Sequence, residues 1–223
     1  MDDGWLKQGF ASPLETYRPY LLSRGVNSQS TIHFHSWNPH SNVQDPRFKS
    51  MFGQQGERIK EHLIIPISSP RGQIIGLEAR SLSEDGQKKV LQYRTPHSQW
   101  NPYLLGSQNA FKALWEGHDL WIVEGVFDLI AVEKCLSNGD AVCSTLRAGM
   151  DANTLASISQ FYTPMSTIYI CYDNDETGRK KSLWLHKEMS RLGIRCVEWK
   201  YRGKDPGEVW KAGGLQGLKK MFY

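Results

Sequence analysis

The sequence predicts an α/β fold, with a central, mostly parallel sheet flanked by helices and preceded by a mixed α+β, basic N-terminal part. Three observations carry this. From Leu114 onward, short apolar runs alternate with longer amphipathic ones, the pattern of parallel strands joined by helical crossovers. Carboxylates cluster where two of the apolar runs end, the place where open parallel sheets put their sites. Upstream, two apolar runs flank Ser69-Pro70-Arg71-Gly72, a good hairpin turn.

In chain order, residues 15–23 should form a helix stopped by Gly25. Residues 31–56 are polar and rich in Asn, Ser, Pro and Gln, and read mostly as loop. Strands are expected at 63–68 and 73–79, and 82–99 reads as loop or edge strand. The alternating half then gives strand 120–123, helix 127–136, strand 141–144, helix 151–161 and strand 167–172. A helix over 177–192, with Leu185, Met189 and Leu192 at helical spacing, and a strand at 195–198 complete it. The expected divisions are 1–112 for the N-terminal basic part, 113–202 for the sheet domain and 203–223 for a C-terminal extension.

The 223 residues suffice for one large or two small domains. Twenty-seven basic against 23 acidic residues give a net charge of +4, a mild excess that permits nucleic-acid binding without requiring it. No block of five like charges occurs, so a disordered basic tail does not explain the excess. The four cysteines form no C-x-x-C pair and lie in or beside apolar runs, which suits buried reduced thiols in a cytoplasmic protein. No stretch reaches the ~18 apolar residues of a membrane span, and the acidic N-terminus lacks an apolar signal core. His33, His35 and His40 fall in a polar stretch without cysteine, a poor basis for zinc. Trp100, Tyr103 and Trp115 could stack on bases, but packing is the commoner role of such aromatics.

Glu124 follows an apolar run and precedes Gly125, which allows a tight turn; Asp128, one helical turn on, can point back toward it. A second run ends in Asp173-Asn174-Asp175, whose two carboxylates share a side if the chain stays extended. Carboxylates this dense repel one another unless a cation neutralises them. Hard oxygen ligands suit Mg²⁺ or Mn²⁺, ions that leave coordination positions for phosphate. A strand-end aspartate can also simply cap the next helix, which is the competing role for Asp175.

Glu124-Gly125-Val126-Phe127-Asp128 and Asp173-Asn174-Asp175-Glu176-Thr177-Gly178-Arg179 resemble the E-G-x-x-D and D-x-D-x-x-G-R signature of TOPRIM domains. Upstream, Tyr20-Leu21-Leu22-Ser23-Arg24-Gly25-Val26 is similar to the opening of the DnaG-type primase RNA polymerase core. Arg71-Gly72-Gln73-Ile74-Ile75-Gly76-Leu77-Glu78-Ala79-Arg80 resembles that core's basic hairpin, and Tyr93-Arg94-Thr95-Pro96 its Y-x-[ST]-P segment. Gly203-Lys204-Asp205-Pro206 is similar to its late K-D-P-D motif.

The resemblance implies RNA-primer synthesis on single-stranded DNA from NTPs, with a replicative helicase as a candidate partner and no membrane association. It implies catalytic roles for Glu124, Asp128, Asp173 and Asp175, and a Mg²⁺ or Mn²⁺ site made of Glu124, Asp173, Asp175 and Asp205. Arg80 and Arg71, then Lys60 and Arg94, are its candidates for holding nucleotide or template.

The chain departs from the family at Gly207, where a second late aspartate is usual, and at His62, where arginine is favoured. The family's zinc and helicase-binding domains are not in this sequence, as expected of an excised core or of a minimal primase from a phage or mobile element. The competing functions are a TOPRIM nuclease, which would not need the hairpin, and a non-catalytic DNA-binding or docking remnant, which Gly207 would favour.

Overall fold

The structure, a computed structural model, describes residues 7, 10–13, 15–37, 59, 62–81, 90–94, 104–146 and 150–222. Lys60, His40, Trp100 and Tyr103 lie outside the described residues, as does the side chain of Arg94.

The alternating half folds as the pattern predicts. Strands β6 (Leu120–Val123), β7 (Ala141–Ser144), β8 (Ile168–Ile170) and β9 (Cys196–Glu198) form a parallel sheet in the order β7-β6-β8-β9. Every residue of β6 and β7 is buried, as expected for strands covered on both faces. Helices α3 (Val126–Glu133), α4 (Ala152–Phe161) and α5 (Glu176–Arg191) follow β6, β7 and β8. The predicted helix over 127–136 ends earlier, at Glu133.

Upstream, β3 (Leu63–Ser68), β4 (Ile74–Arg80) and β5 (Val90–Arg94) form an antiparallel sheet, so part of the ambiguous 82–99 stretch is indeed an edge strand. The 3₁₀ turn Glu15–Tyr17 leads into α1 (Arg18–Ser23), and Gly25 at φ +81° ends it as expected. Two short strands, β1 (Phe10–Ala11) and β2 (Ser36–Trp37), pair antiparallel, so 31–37 is more ordered than the loop predicted there. His35 exchanges backbone bonds with Ile64 and stacks on Phe10 at 4.7 Å, which gives this histidine a packing role.

Two helices were not anticipated. α2 (Ser107–Trp115) packs on β6 and β7 and spans the expected division at 112/113. α6 (Pro206–Phe222) packs on α3 and breaks its helical path at Gly214 (φ 54°, ψ −149°). Its Leu218 and Met221 are buried, each contributing about 2 kcal/mol of apolar burial. One core joins the two halves: Tyr17, Leu21, Phe34, Leu63 and Ile65 pack with Val123, Phe127, Ile130, Leu218 and Met221. The four cysteines are free; Cys143 and Cys171 are buried, and burial pushes the Cys143 thiol up to about 12. No helix among the described residues is long and apolar enough to cross a membrane.

Candidate metal-dependent active site

The carboxyl ends of β6 and β8 lie side by side because the two strands are hydrogen-bonded neighbours. Glu124 leaves β6 and Asp173 stands just past β8; the Asp173 N–H donates to Glu124 Oε1 at 3.3 Å. Ser144, at the end of β7, donates its hydroxyl to the Glu124 carbonyl at 2.7 Å and accepts the Leu146 N–H at 3.0 Å. Three adjacent strands therefore orient Glu124.

The glycines of the signature are required by close approach. A Cβ on Gly178 would run into the Asp173 carbonyl and stand 3.0 Å from Glu124 Oε1, so only glycine lets α5 begin this close to the strand ends. Asp175 does cap α5, accepting the Gly178 N–H at 2.8 Å, as its competing role foresees. The cap uses Oδ1, so capping and a role for Oδ2 toward a cation are compatible.

Asp128 sits on the first turn of α3 and is buried. Its Oδ2 accepts the Gly125 N–H at 3.0 Å, the carboxylate half of a capping box, and its Oδ1 accepts the Gly207 N–H at 2.9 Å. Gly207 thus adds no carboxylate but supplies an amide. A Cβ there would stand 3.1 Å from Asp128 Oδ1.

Asp205 reaches the cluster through a second set of loop contacts. The Asn174 N–H donates to the Lys204 carbonyl at 2.7 Å, and Asn174 Nδ2 donates to the carbonyls of Tyr201 and Gly203. Arg179 donates to Asn174 O and Oδ1, bracing that loop from α5. Segments 173–175 and 201–205 are thereby stitched together, and the negative charge of Asp205 lies close enough to raise the pKa of Asp128 and of Asp173.

The electrostatics are those of crowded anions. Asp173 is pushed up from 3.8 to about 7, first by burial and then by Glu124, Asp205 and Asp175. Burial also lifts Asp128 well above the carboxylate range, and the negative charges of Asp205 and Asp173 add to the shift while the Gly207 amide opposes it. Glu124 is raised by burial, while the Asp173 amide and Lys181 pull it back. Lys181 and Lys204 are the cations felt by Glu124 and Asp173, and sequence reasoning assigned neither a role. Lys181 sits three residues after Gly178 on α5, a spacing that could have flagged it.

No three His, Cys, Asp or Glu groups among the described residues converge as a ready-made cage for an ion. Mg²⁺ does not require one, since it is usually held by one or two carboxylates and keeps several waters. The donor set is all oxygen, and its carboxyls are raised first by burial and then by mutual repulsion, both of which a divalent cation would offset. In kind, the residues fit.

The basic candidates are more dispersed. Arg80 lies over the Phe127 ring at 5.1 Å, beside the residue that precedes Asp128, but its guanidinium is paired with buried Glu78 at 3.1 Å. Gln92 carries this link onward, donating to Glu78 and to the Leu146 carbonyl. Arg71 is the exposed residue of the β3–β4 turn, whose Gly72 faces Gln108 on α2.

The Toprim-like sequence profile matches residues 121–210, the stretch that holds every one of these carboxylates. Residues 121–210 thus match a Toprim-like domain, and the chain is similar in sequence and in fold to DnaG-type primases. It is 26% identical over 180 residues to the DNA primase of Neisseria meningitidis serogroup A, an alignment covering 73% of this chain and 30% of that protein. The chain thus spans about a third of the length of the curated relatives it matches. The catalytic core of the E. coli primase superposes with a TM-score of 0.68 at 20% identity, covering 93% of this chain and 72% of that one. A DnaG primase catalytic domain solved bound to single-stranded DNA gives 0.65 at 20% identity, with 93% and 71% covered. These likenesses establish the fold, including the antiparallel sheet that precedes the Toprim-like domain.

Proposed function

We propose that this chain is the catalytic core of a DNA primase, making short RNA primers on single-stranded DNA by divalent-cation-dependent nucleotidyl transfer in the cytoplasm of a bacterial or phage-infected cell. The observation that supports the reading is the bond from the Asp173 amide to Glu124 at the strand ends, with the loop of Asp205 tied to the loop of Asp173 and Asp175 through Asn174, in one core with the basic hairpin part that precedes them. A nuclease would use the carboxylates but has no need of that hairpin.

In the reaction, a 3′-hydroxyl oxygen bonds to the α-phosphorus of the incoming NTP. The bond from that phosphorus to the bridging oxygen breaks, pyrophosphate leaves and the hydroxyl proton is lost. Mg²⁺ or Mn²⁺ held by Glu124, Asp173, Asp175 and Asp205 would supply charge neutralisation at the phosphate oxygens. Glu124, oriented by its contact with the Asp173 amide, is the best-placed residue to organise the cation or to take up that proton. Asp128 fixes the first turns of α3 and α6. Lys181 and Lys204, with Arg80 and Arg71 and then Lys60 and Arg94, are the cations available for triphosphate and template. Such a site works by positioning and charge neutralisation, which this inventory can supply. A replicative helicase is the candidate protein partner.

The test incubates the chain with single-stranded DNA, labelled NTPs and Mg²⁺ or Mn²⁺. Oligoribonucleotides complementary to the template, abolished in Asp173→Ala, support priming. Degraded template without new product favours the nuclease, and neither activity favours a non-catalytic remnant.

A further inference from the structure

We infer that Arg24 and Glu208 are positioning residues that set Asp205 within the acidic cluster, so that the seating of α1 on α6 governs how well the site holds a divalent cation. This rests on the reading of the cluster as a cation site.

The first turn of α6 has every backbone donor accounted for. Pro206 has none, the Gly207 N–H goes to Asp128 Oδ1, the Glu208 N–H to Asp205 Oδ1 at 2.7 Å, and the Val209 N–H to the Asp205 carbonyl. Asp205 is therefore the N-cap of α6, and its carboxylate orientation depends on where Glu208 stands. The Glu208 side chain does not turn back to the cap, as it would in a full capping box. Its Oε1 accepts from Arg24 Nη1 at 2.9 Å, a contact spanning 184 residues of sequence.

The Arg24 end of this contact is rigid. Its side chain is 18% exposed, and its guanidinium lies over the rings of Tyr20 at 5.6 Å and Phe127 at 5.3 Å. Its N–H closes α1 on the carbonyls of Tyr20 and Leu21. The next residue, Gly25, lies so close to Trp210 of α6 that a Cβ would come 2.7 Å from the indole. A charged, partly buried and doubly stacked latch thus joins α1 to the turn that presents Asp205. Charge-assisted bonds of this kind are among the stronger ones available to a side chain. Lys204, 3.9 Å from Asp205 and 68% exposed, is a solvent-facing cation beside that carboxylate and is less constrained by packing than Arg24.

Charge and position predict opposite signs, which makes the latch testable. Arg24→Gln removes a positive charge near an anionic site, so simple electrostatics predicts tighter cation binding. Positioning predicts weaker binding. Glu208→Asp keeps the charge but shortens the reach to Arg24, and positioning again predicts weaker binding. Mn²⁺ binding to the full chain, read by electron paramagnetic resonance of the free ion, should weaken by about tenfold in both variants, while circular dichroism stays unchanged. The exchange Arg24→Glu with Glu208→Arg should recover most of the loss. Wild-type affinity in Glu208→Asp, or equal or tighter binding in Arg24→Gln, would overturn the latch and leave the site reading standing. Failure of the wild-type chain to bind Mn²⁺ would remove both.

Discussion

The Gly207 N–H donates to Asp128 Oδ1 across 2.9 Å, tying the N-terminus of α6 to that of α3. A side chain at 207 would intrude on this contact, since its Cβ would lie 3.1 Å from the same oxygen. Gly207→Asp adds both bulk and a like charge at a buried carboxyl. It should destabilise the metal-free protein by about 1–3 kcal/mol, lowering Tm by roughly 5 °C, with Gly207→Ala costing less. Thermal denaturation in a chelator checks this, and an unchanged Tm for Gly207→Asp would mean that α6 does not sit against Asp128 as described.

Gly178 makes a sharper case. A Cβ there overlaps the Asp173 carbonyl, which is backbone and cannot swing aside. Gly178→Ala should therefore move the start of α5 away from the strand ends, costing about 2 kcal/mol and weakening Mn²⁺ binding together. Calorimetric Tm and Mn²⁺ affinity measured on the same samples would show whether the two losses travel together.

The raised carboxyls make stability depend on pH in a defined direction. Asp173 has an ordinary value of 3.8 and about 7 in the fold, so the folded state binds the extra proton. The stability this lends is complete below about 4 and is lost as pH rises through about 7. Asp128 is shifted in the same direction by burial, and its effect has the same sign. Without divalent ions, Asp173→Asn should gain Tm relative to wild type as pH rises from 5 to 8, and added Mg²⁺ should close the gap by stabilising wild type alone. A gap that shrinks with rising pH would contradict the assigned crowding.

Lys181 pulls the Glu124 carboxyl downward. Lys181→Met should move the acid limb of the pH–activity profile to higher pH. A shift to lower pH would remove Lys181 from the site.

Much of this was legible from residue patterns. Strand β6 reads as a short, wholly apolar run bounded by Gly117 and Glu124, and helix α5 shows Leu185 and Met189 at helical spacing. The strand-end positions of Glu124 and Asp173 followed from those patterns. Helix α6 did not show because Gly207, Gly213, Gly214 and Gly217 depress its helix propensity, and its burial of Leu218 and Met221 comes from tertiary packing. Helix α2 follows Gly106 with no side-chain cap and no acidic residue in its first turn, so the usual start signals of a helix are missing there. The approach of Asp205 rests on Asn174 bridging two loops, and the Arg24–Glu208 pair joins ends of the chain. Contacts between such distant residues leave no periodic trace in a single sequence.

The most direct measurement is template-dependent NTP incorporation by wild type, Glu124→Gln and Asp173→Asn under saturating Mg²⁺, with circular dichroism of each. Both substitutions should cut incorporation by about a hundredfold or more while leaving the fold intact, because each removes a carboxylate from the proposed cation site. Incorporation within a few-fold of wild type in either well-folded variant would contradict the assignment of these strand-end carboxylates as the active site.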